Sequence, residues 1–301
     1  MTSASLTTVA PRRATHAGSF YRADPIGLAR QVDALLEGER IGRPAPSGLP
    51  LGLLVPHAGF DWCGPIAARA WLQLEPNPTR AGRPPTIVLL GTNHFDRSSR
   101  GVSVWPGGPW LTPIGDVAVD DHLRERVLAL GAPFVARTEP HIAEHSVEVE
   151  LPFLLRVRSD ARIVPLLVGP LDTDERTTAG EALGHLLAEV RVSGDPVVLV
   201  ASSDLAHYPG RSAADEVDDA SLRAITALDA DRLVRHELAA ETAAVRGLDC
   251  ALCGIEPVSL GIAALLAMGA TRGRVLAHAT SADAPGGTPS RVVGYGAVRF
   301  D

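Results

Sequence analysis

Lysine is absent: all 28 cationic side chains are arginine. A chain without lysine forms no Schiff base, anchors no pyridoxal phosphate and reaches no nucleotide phosphate from a Walker loop. Cysteine is sparse. Cys63, Cys250 and Cys253 are too few and too scattered for a disulfide framework, so a reducing cytoplasm is the expected compartment. Long hydrophobic runs are missing too: the most apolar late stretch, residues 259–270, falls well under the ~20 residues that a bilayer span needs, and no membrane role is expected. Positive charge is in deficit, with a net charge of -7 and no basic run, which argues against nucleic acid as a partner. The first residues are Ser/Thr-rich and lack a continuous apolar core, so residues 1–12 are expected to form a loose tail rather than a secretory signal.

What is present points to an α/β protein. With 301 residues and 46% hydrophobic side chains the chain can bury a substantial core, and one domain is favoured over two. Ile26, Leu28, Val32, Leu35 and Leu36 follow helical spacing after Asp24 as cap and Pro25 as first helical residue. Apolar runs at residues 51–55, 87–90, 163–168 and 197–200 read as buried strands, with closing strands at 275–278 and 292–298. Helical patterns cover 64–74, 121–130, 146–156, 173–190 with Thr173 or Asp174 as cap, two stretches within 212–244, and 258–268. The Trp/Pro/Gly-rich piece 102–115 is expected to be an irregular excursion of surface loop or short strands. Strands alternating with helices imply a mostly parallel sheet covered on both faces.

Three of the apolar runs stop and a histidine follows within a few residues: His57, His94 and His207. Ligands collect beyond the carboxyl ends of strands in open α/β sheets, so these histidines can converge on a metal. Two neutral imidazoles at adjacent strand ends make half of a first-row metal site that suits zinc, iron, copper or nickel. Asp204, three residues before His207, either orients that ring or competes as a ligand. Serine, aspartate and histidine also meet in Ser202-Ser203-Asp204-Leu205-Ala206-His207-Tyr208, but the Gly-x-Ser-x-Gly elbow of a hydrolase is absent. Cys253 precedes a helix opened by Pro257, and a helix N-terminus favours the metal-binding thiolate. A buried inert thiol is the plain alternative, Glu256 is a rival anionic ligand, and the single Cys250-Ala251-Leu252-Cys253 pair cannot close a structural zinc site. A competing pattern is His141-Ile142-Ala143-Glu144-His145, which matches the His-x-x-Glu-His of inverted zinc peptidases, with both histidines on zinc and Glu144 activating water.

Taken together and in order, Ala17-Gly18-Ser19-Phe20-Tyr21, Pro56-His57-Ala58-Gly59-Phe60, Gly91-Thr92-Asn93-His94, Thr112-Pro113-Ile114-Gly115, Glu144-His145-Ser146-Val147-Glu148, Ser202-Ser203-Asp204-Leu205-Ala206-His207 and Cys253-Gly254-Ile255-Glu256-Pro257 resemble the Memo family, whose microbial members are called AmmeMemoRadiSam system protein B. The likeness runs from Arg13 to Phe300. It implies a single domain over residues 13–301, a three-layer α/β/α sandwich around a mostly parallel or mixed sheet, similar to class III extradiol dioxygenases. Through that resemblance His57 and His94 are the expected metal histidines, and Cys253 takes the place of the dioxygenase glutamate. His207 is the expected acid/base with Asp204 and His145 as catalytic neighbours, while Phe20, Glu144 and Tyr208 are expected to meet the substrate. His145 belongs to the family pattern and His141 does not, which weakens the peptidase alternative. The implied cofactor is Fe(II), with copper or zinc as alternatives because a thiolate is softer than a carboxylate. The implied activity is an oxidoreductase, and the alternative is a non-catalytic module that grips a metal, a small molecule or a peptide in the same cleft. The family's name also implies functional association with radical-SAM and AMMECR-like proteins. Cys63 replaces a frequent serine near His57.

Overall fold

The computed structural model describes residues 10–43, 46, 48–76, 82–96, 98–243 and 245–301. Its first helix shows how local chemistry sets an element. Asp24 is extended, its carboxylate accepts the Gly27 N–H at 2.6 Å, and Pro25 pre-sets the first turn, so α1 (Pro25–Arg40) starts where the sequence places it. The chain continues through β1 (Gly52–Val55), α2 (Phe60–Trp71), β2 (Thr86–Thr92), β3 (Val102–Val104), the hairpin β4 (Trp110–Thr112) and β5 (Gly115–Val117), α3 (Asp121–Leu128), β6 (Phe134–Ala136) and the single turn α4 (Glu139–Ile142). Then come α5 (Leu151–Val157), β7 (Arg162–Val168), α6 (Thr173–Val192), β8 (Val197–Ser202), α7 (Arg211–Thr226), α8 (Ala230–Thr242), α9 (Ile255–Ala267), β9 (Gly273–Thr280) and β10 (Gly294–Phe300). No helix among the described residues is long and apolar enough to cross a membrane.

Eight strands form one sheet in the order β6-β3-β7-β2-β8-β1-β10-β9. Strands β7, β2, β8 and β1 are parallel neighbours, and β3 and β10 flank them antiparallel, so the sheet is mixed. Successive residues of the parallel block face opposite sides: Ile87 and Leu89 join one buried cluster with α1, α2 and α5, while Val88 and Leu90 join another with α3, α6 and α9. This is the three-layer sandwich. Because both faces are covered, the strands read as uninterrupted apolar runs, each fully buried Leu or Ile contributing about 1.5–3 kcal/mol.

The structure revises the sequence reading at several points. The 102–115 excursion contains a strand of the main sheet, β3, whose three residues are all buried between β7 and β6. The helix expected at 146–156 is a turn of 3-10 helix, Glu148–Glu150, followed by the short α5, because Pro152 has no N–H to donate and suits a first turn. The cap of α6 is Asp172 rather than Thr173 or Asp174, and with Glu175 it forms a reciprocal capping box. Residues 1–9 of the expected tail lie outside the described residues, whereas Arg12 is buried in the folded body.

Close helix packing seats the C-terminal part of the site. On α6, a Cβ at Gly180 would lie 2.6 Å from the Ala263 Cβ, and one at Gly184 would lie 2.6 Å from the Ala267 Cβ, so the two glycines let α6 approach α9. The loop carrying Cys253 leads directly into α9. Gly184→Val is expected to lower the unfolding free energy by about 1–3 kcal/mol through overpacking, read from urea unfolding. An unchanged midpoint would mean that the contact is not tight.

Candidate metal centre

Parallel register brings three segments to one edge of the sheet. Leu54 and Leu90 both pair with Ala201 and Val55 pairs with Ser202, so β1, β2 and β8 end at one level. The segments that follow carry His57, His94 and Asp204 into the crevice beyond the strands. Pro56 follows β1, and the next N–H, that of His57, donates to Asp204 Oδ1 at 2.9 Å. The buried His57 ring sets Nδ1 3.0 Å from Ser202 Oγ and leaves Nε2 buried without a hydrogen-bond partner. After β2, Asn93 and Asp96 exchange hydrogen bonds at 2.7 and 3.1 Å, which turns the chain around His94.

Glu144 fixes the second ring. Its buried carboxylate accepts from the His94 backbone N–H at 2.7 Å, from His94 Nδ1 at 2.8 Å, and from the backbone N–H groups of His145 and Ser146 at 2.9 Å each. With Nδ1 donating, His94 Nε2 is left to face Cys253 Sγ, 3.1 Å away. Cys253 is held from a distant part of the chain: its N–H donates to the Asp204 carbonyl at 3.2 Å, and the Gly254 N–H donates to Ser203 Oγ at 2.8 Å. The donor atoms of His57, His94 and Cys253 all lie within 4.8 Å of one another. His94, Glu144 and His145 form a second grouping of that kind, but Glu144 Oε1 already accepts from three N–H donors and is poorly placed to bind an ion.

The remaining expected residues surround these three. A cavity of about 660 Å³ is lined by Phe20, His145, Asp204, His207 and Tyr208 together with His57, His94 and Cys253. Glu144, expected as a substrate contact, is not in that lining and lies behind His94, with its carboxylate on the ring Nδ1. His145 stacks on His94 with ring centroids 4.6 Å apart, and its Nδ1 lies 3.2 Å from Glu144 Oε1 without the alignment of a hydrogen bond. His207 Nε2 is 3.8 Å from Asp204 Oδ2, too far for a hydrogen bond, and it too is buried without a partner. Tyr208 adopts a left-handed backbone, φ 73°, uncommon for a residue other than glycine. Cys63 is buried, with Sγ 3.2 Å from the Ala58 carbonyl, and Cys250 lines the cavity.

Burial governs the protonation of the imidazoles. Desolvation pushes His57 down to about 4 and His141 and His145 down to about 3, so all three are neutral near pH 7. Burial would raise Glu144, but the hydrogen bond and charge of His94, with His145 and the Ser146 N–H, bring it down to about 2. Asp204 is likewise pushed up by burial, yet the nearby His57 and His207 hold it below the usual carboxylate range.

His141 stands outside the centre. Helix α4 ends at Ile142, before Glu144, so His141 and His145 do not share a helical face. The His141 ring is enclosed by Trp105 and Trp110 at centroid separations of 5.5 and 5.9 Å, and its Nε2 lies 3.1 Å from the Ser103 carbonyl. The peptidase geometry, which needs both histidines on one ion, is therefore overturned. Sequence reasoning gave no place at this centre to Ser202, Glu150 or Arg12. The available signal was a polar residue closing an apolar strand, two glutamates in an apolar stretch, and an arginine in the supposed tail. Arg12 pairs with Glu148, lies 4.6 Å over the Trp110 ring and donates to the carbonyls of His141 and Glu144 at 3.1 and 2.6 Å.

Comparison with known proteins was consistent across nearly the whole chain. A family model described as Memo-like protein matches residues 12–299. A MEMO1 family protein of Methanopyrus kandleri is 33% identical over 292 residues, covering 94% of this chain and 96% of that protein. One from Thermotoga neapolitana is 35% identical over 286 residues, covering 93% and 95%. Among solved structures, an uncharacterized protein from Escherichia coli K12 aligns at a TM-score of 0.43 and 17% identity, covering 82% of this chain and 99% of that one, a likeness too low to carry any argument.

Neutral burial has a measurable consequence. For His57, His141 and His145 the folded pKa lies below the unfolded value of 6.5, so the unfolded chain binds more protons as the pH drops from 6.5 toward 3. The stability they contribute is present above pH 6.5 and is lost across that window, at about 1.4 kcal/mol per pH unit for each proton. Because Glu150, raised to about 8, works against this slope, the test is differential: chemical unfolding of the metal-free protein at a series of pH values is expected to lose stability toward low pH by one proton less in His141→Phe than in the parent. Equal slopes in the two proteins between pH 6.5 and 4 would contradict it.

Proposed function

Because the chain belongs to the Memo-like protein family, we propose that it is a metal-dependent oxidoreductase whose ion is held by His57, His94 and Cys253. The observation that carries this reading is the buried His57, whose Nε2 has no partner and which offers one of three donor atoms within 4.8 Å of one another. Two imidazoles and a thiol fit a first-row metal. Fe(II) is the proposed ion, with copper and zinc as the alternatives that a sulfur ligand favours. When bound, a redox-active ion supplies electron transfer and Lewis acidity.

The chain's own residues do the rest. Glu144 locks the His94 ring, and Asp204 holds the His57 backbone while facing His207. His207 Nε2, buried and unpartnered in the cavity wall, gives or takes the proton of a bound ligand. Phe20 and Tyr208 wall that ligand, for which a small molecule or a peptide is proposed, and Phe20 also packs on His145 at 4.6 Å between centroids. Cys63, Cys250 and Cys253 are not joined in disulfides, which suits a reducing cytoplasm. One observation favours a second reading, a binding module without turnover: Cys253 offers sulfur where a ring-cleaving site uses a carboxylate.

Two measurements separate these readings. Elemental mass spectrometry of purified His57→Ala and Cys253→Ala is expected to find less than about a tenth of the parent's metal, since even the outer partners of a metal ligand are worth about 10–100-fold in affinity. His141→Ala is expected to keep its metal, and unchanged content in both ligand variants would end the proposal. Oxygen uptake with a panel of catechols after anaerobic iron loading is expected to exceed a His207→Ala control, and equal rates would favour the binding module.

A further inference from the structure

Next to His57 lies a buried carboxyl that the chemistry above does not use. Glu150 is 1% exposed, and its carboxyl sits between Trp71 Nε1, 2.8 Å from Oε2, and the Ser202 hydroxyl, 3.1 Å from Oε1. Ser202 Oγ also lies 2.6 Å from the Ser146 carbonyl oxygen and 3.0 Å from His57 Nδ1. Three neighbours thus share one hydroxyl, which has a single proton to give and two lone pairs to receive.

Proton counting resolves the arrangement. A carbonyl oxygen only accepts, so the shortest contact is a hydrogen bond only if Ser202 donates to Ser146. The other two contacts then need donors on their far sides, an N–H at His57 Nδ1 and an O–H at Glu150 Oε1. Glu150 Oε2 completes the chain by accepting from Trp71. An ionised Glu150 would compete for the Ser202 proton and leave oxygen lone pairs facing each other across the 2.6 Å to Ser146.

We propose that Glu150 is a protonated carboxylic acid that, through Ser202, holds His57 in the Nδ1–H tautomer and so presents the bare Nε2 lone pair to the cleft. Glu150 is thereby a positioning residue that acts on His57 at one remove. Burial pushes its carboxyl up to about 8 against the hydrogen bond that Trp71 donates, and the Asp204 carboxylate adds to the rise. The consequence for the ion rests on the reading of His57 as a ligand, whereas the proton count does not.

The test uses the full-length protein and Glu150→Gln, whose amide keeps a donor for Ser202 and an acceptor for Trp71. In the metal-free state near neutral pH, infrared difference spectra between the parent and Glu150→Gln are expected to contain the carbonyl band of one protonated carboxyl. Nitrogen NMR of labelled histidine is expected to find the His57 proton on Nδ1 in both proteins, but no longer confined there in Ser202→Ala. Titration with cobalt(II) is expected to give Glu150→Gln an affinity within about threefold of the parent and Ser202→Ala one about 10–100-fold weaker, with urea unfolding of both still cooperative. Absence of the carboxyl band, or about a tenfold or greater loss of affinity in Glu150→Gln, overturns the proposal, because either marks an ionised Glu150 lending charge to the imidazole. Should the parent bind no cobalt(II), the metal reading fails, and the infrared and nitrogen spectra still decide on Glu150.

Discussion

The parallel pairing of β1, β8 and β2 is the constraint from which the site follows. Hydrogen bonding in one register fixes Val55 beside Ser202 and Leu90 beside Ala201, so the chain leaves all three strands at the same edge. A slip of one residue would reverse which side chains reach each core cluster, and the alternating burial of Ile87, Val88, Leu89 and Leu90 opposes it. The positions of His57, His94 and Asp204 are therefore set by the same apolar packing that holds the sheet together. Cys253 enters by a separate route, through the loop that begins α9 and the close seat of that helix on α6.

Burying so much polarity at one edge is stable only because most of it is paired. Ionised carboxylates inside a protein are costly unless hydrogen-bonded, and Glu144 accepts four N–H groups, while Glu148 pairs with Arg12 and accepts the Tyr21 hydroxyl at 2.6 Å. The Arg12 to Glu148 pair ties the N-terminal segment to the loop that carries Glu144 and His145, which sets Phe20 against the His145 ring. Among the described residues, eight buried side-chain atoms have no hydrogen-bond partner, and four of them, on His57, Thr92, His145 and His207, belong to residues lining the one cavity. That clustering places half of these atoms around one cavity instead of scattering them through the core.

Much of the architecture was legible beforehand because its signals are local. Uninterrupted apolar runs marked the parallel strands, and Asp24-Pro25 marked the start of α1. Short strands were expected over 102–115, but the place of β3 in the main sheet was not, because three residues carry too little pattern to specify their partners. The true cap at Asp172 was missed by one residue, since neighbouring Thr and Asp offer the same chemistry. At the site, most residues that face the cavity were named from motif position, but the hold of Glu144 on the His94 ring, outside the cavity lining, was not. The contact between Ser202 and Glu150 was invisible, the two being separated by 52 positions and joined only when the strand end meets the turn before α5.

The sequence by itself determined which segments must be buried, where several of them stop, and that histidines and a thiol stand at those stops, because burial pattern and turn chemistry are properties of short stretches. Tertiary structure alone decided which strands are neighbours, which ring nitrogen faces the cleft, and that His141 is enclosed by tryptophans while His145 joins the centre. Those outcomes turn on hydrogen bonds and packing between residues far apart in the chain, whose partners no local pattern specifies.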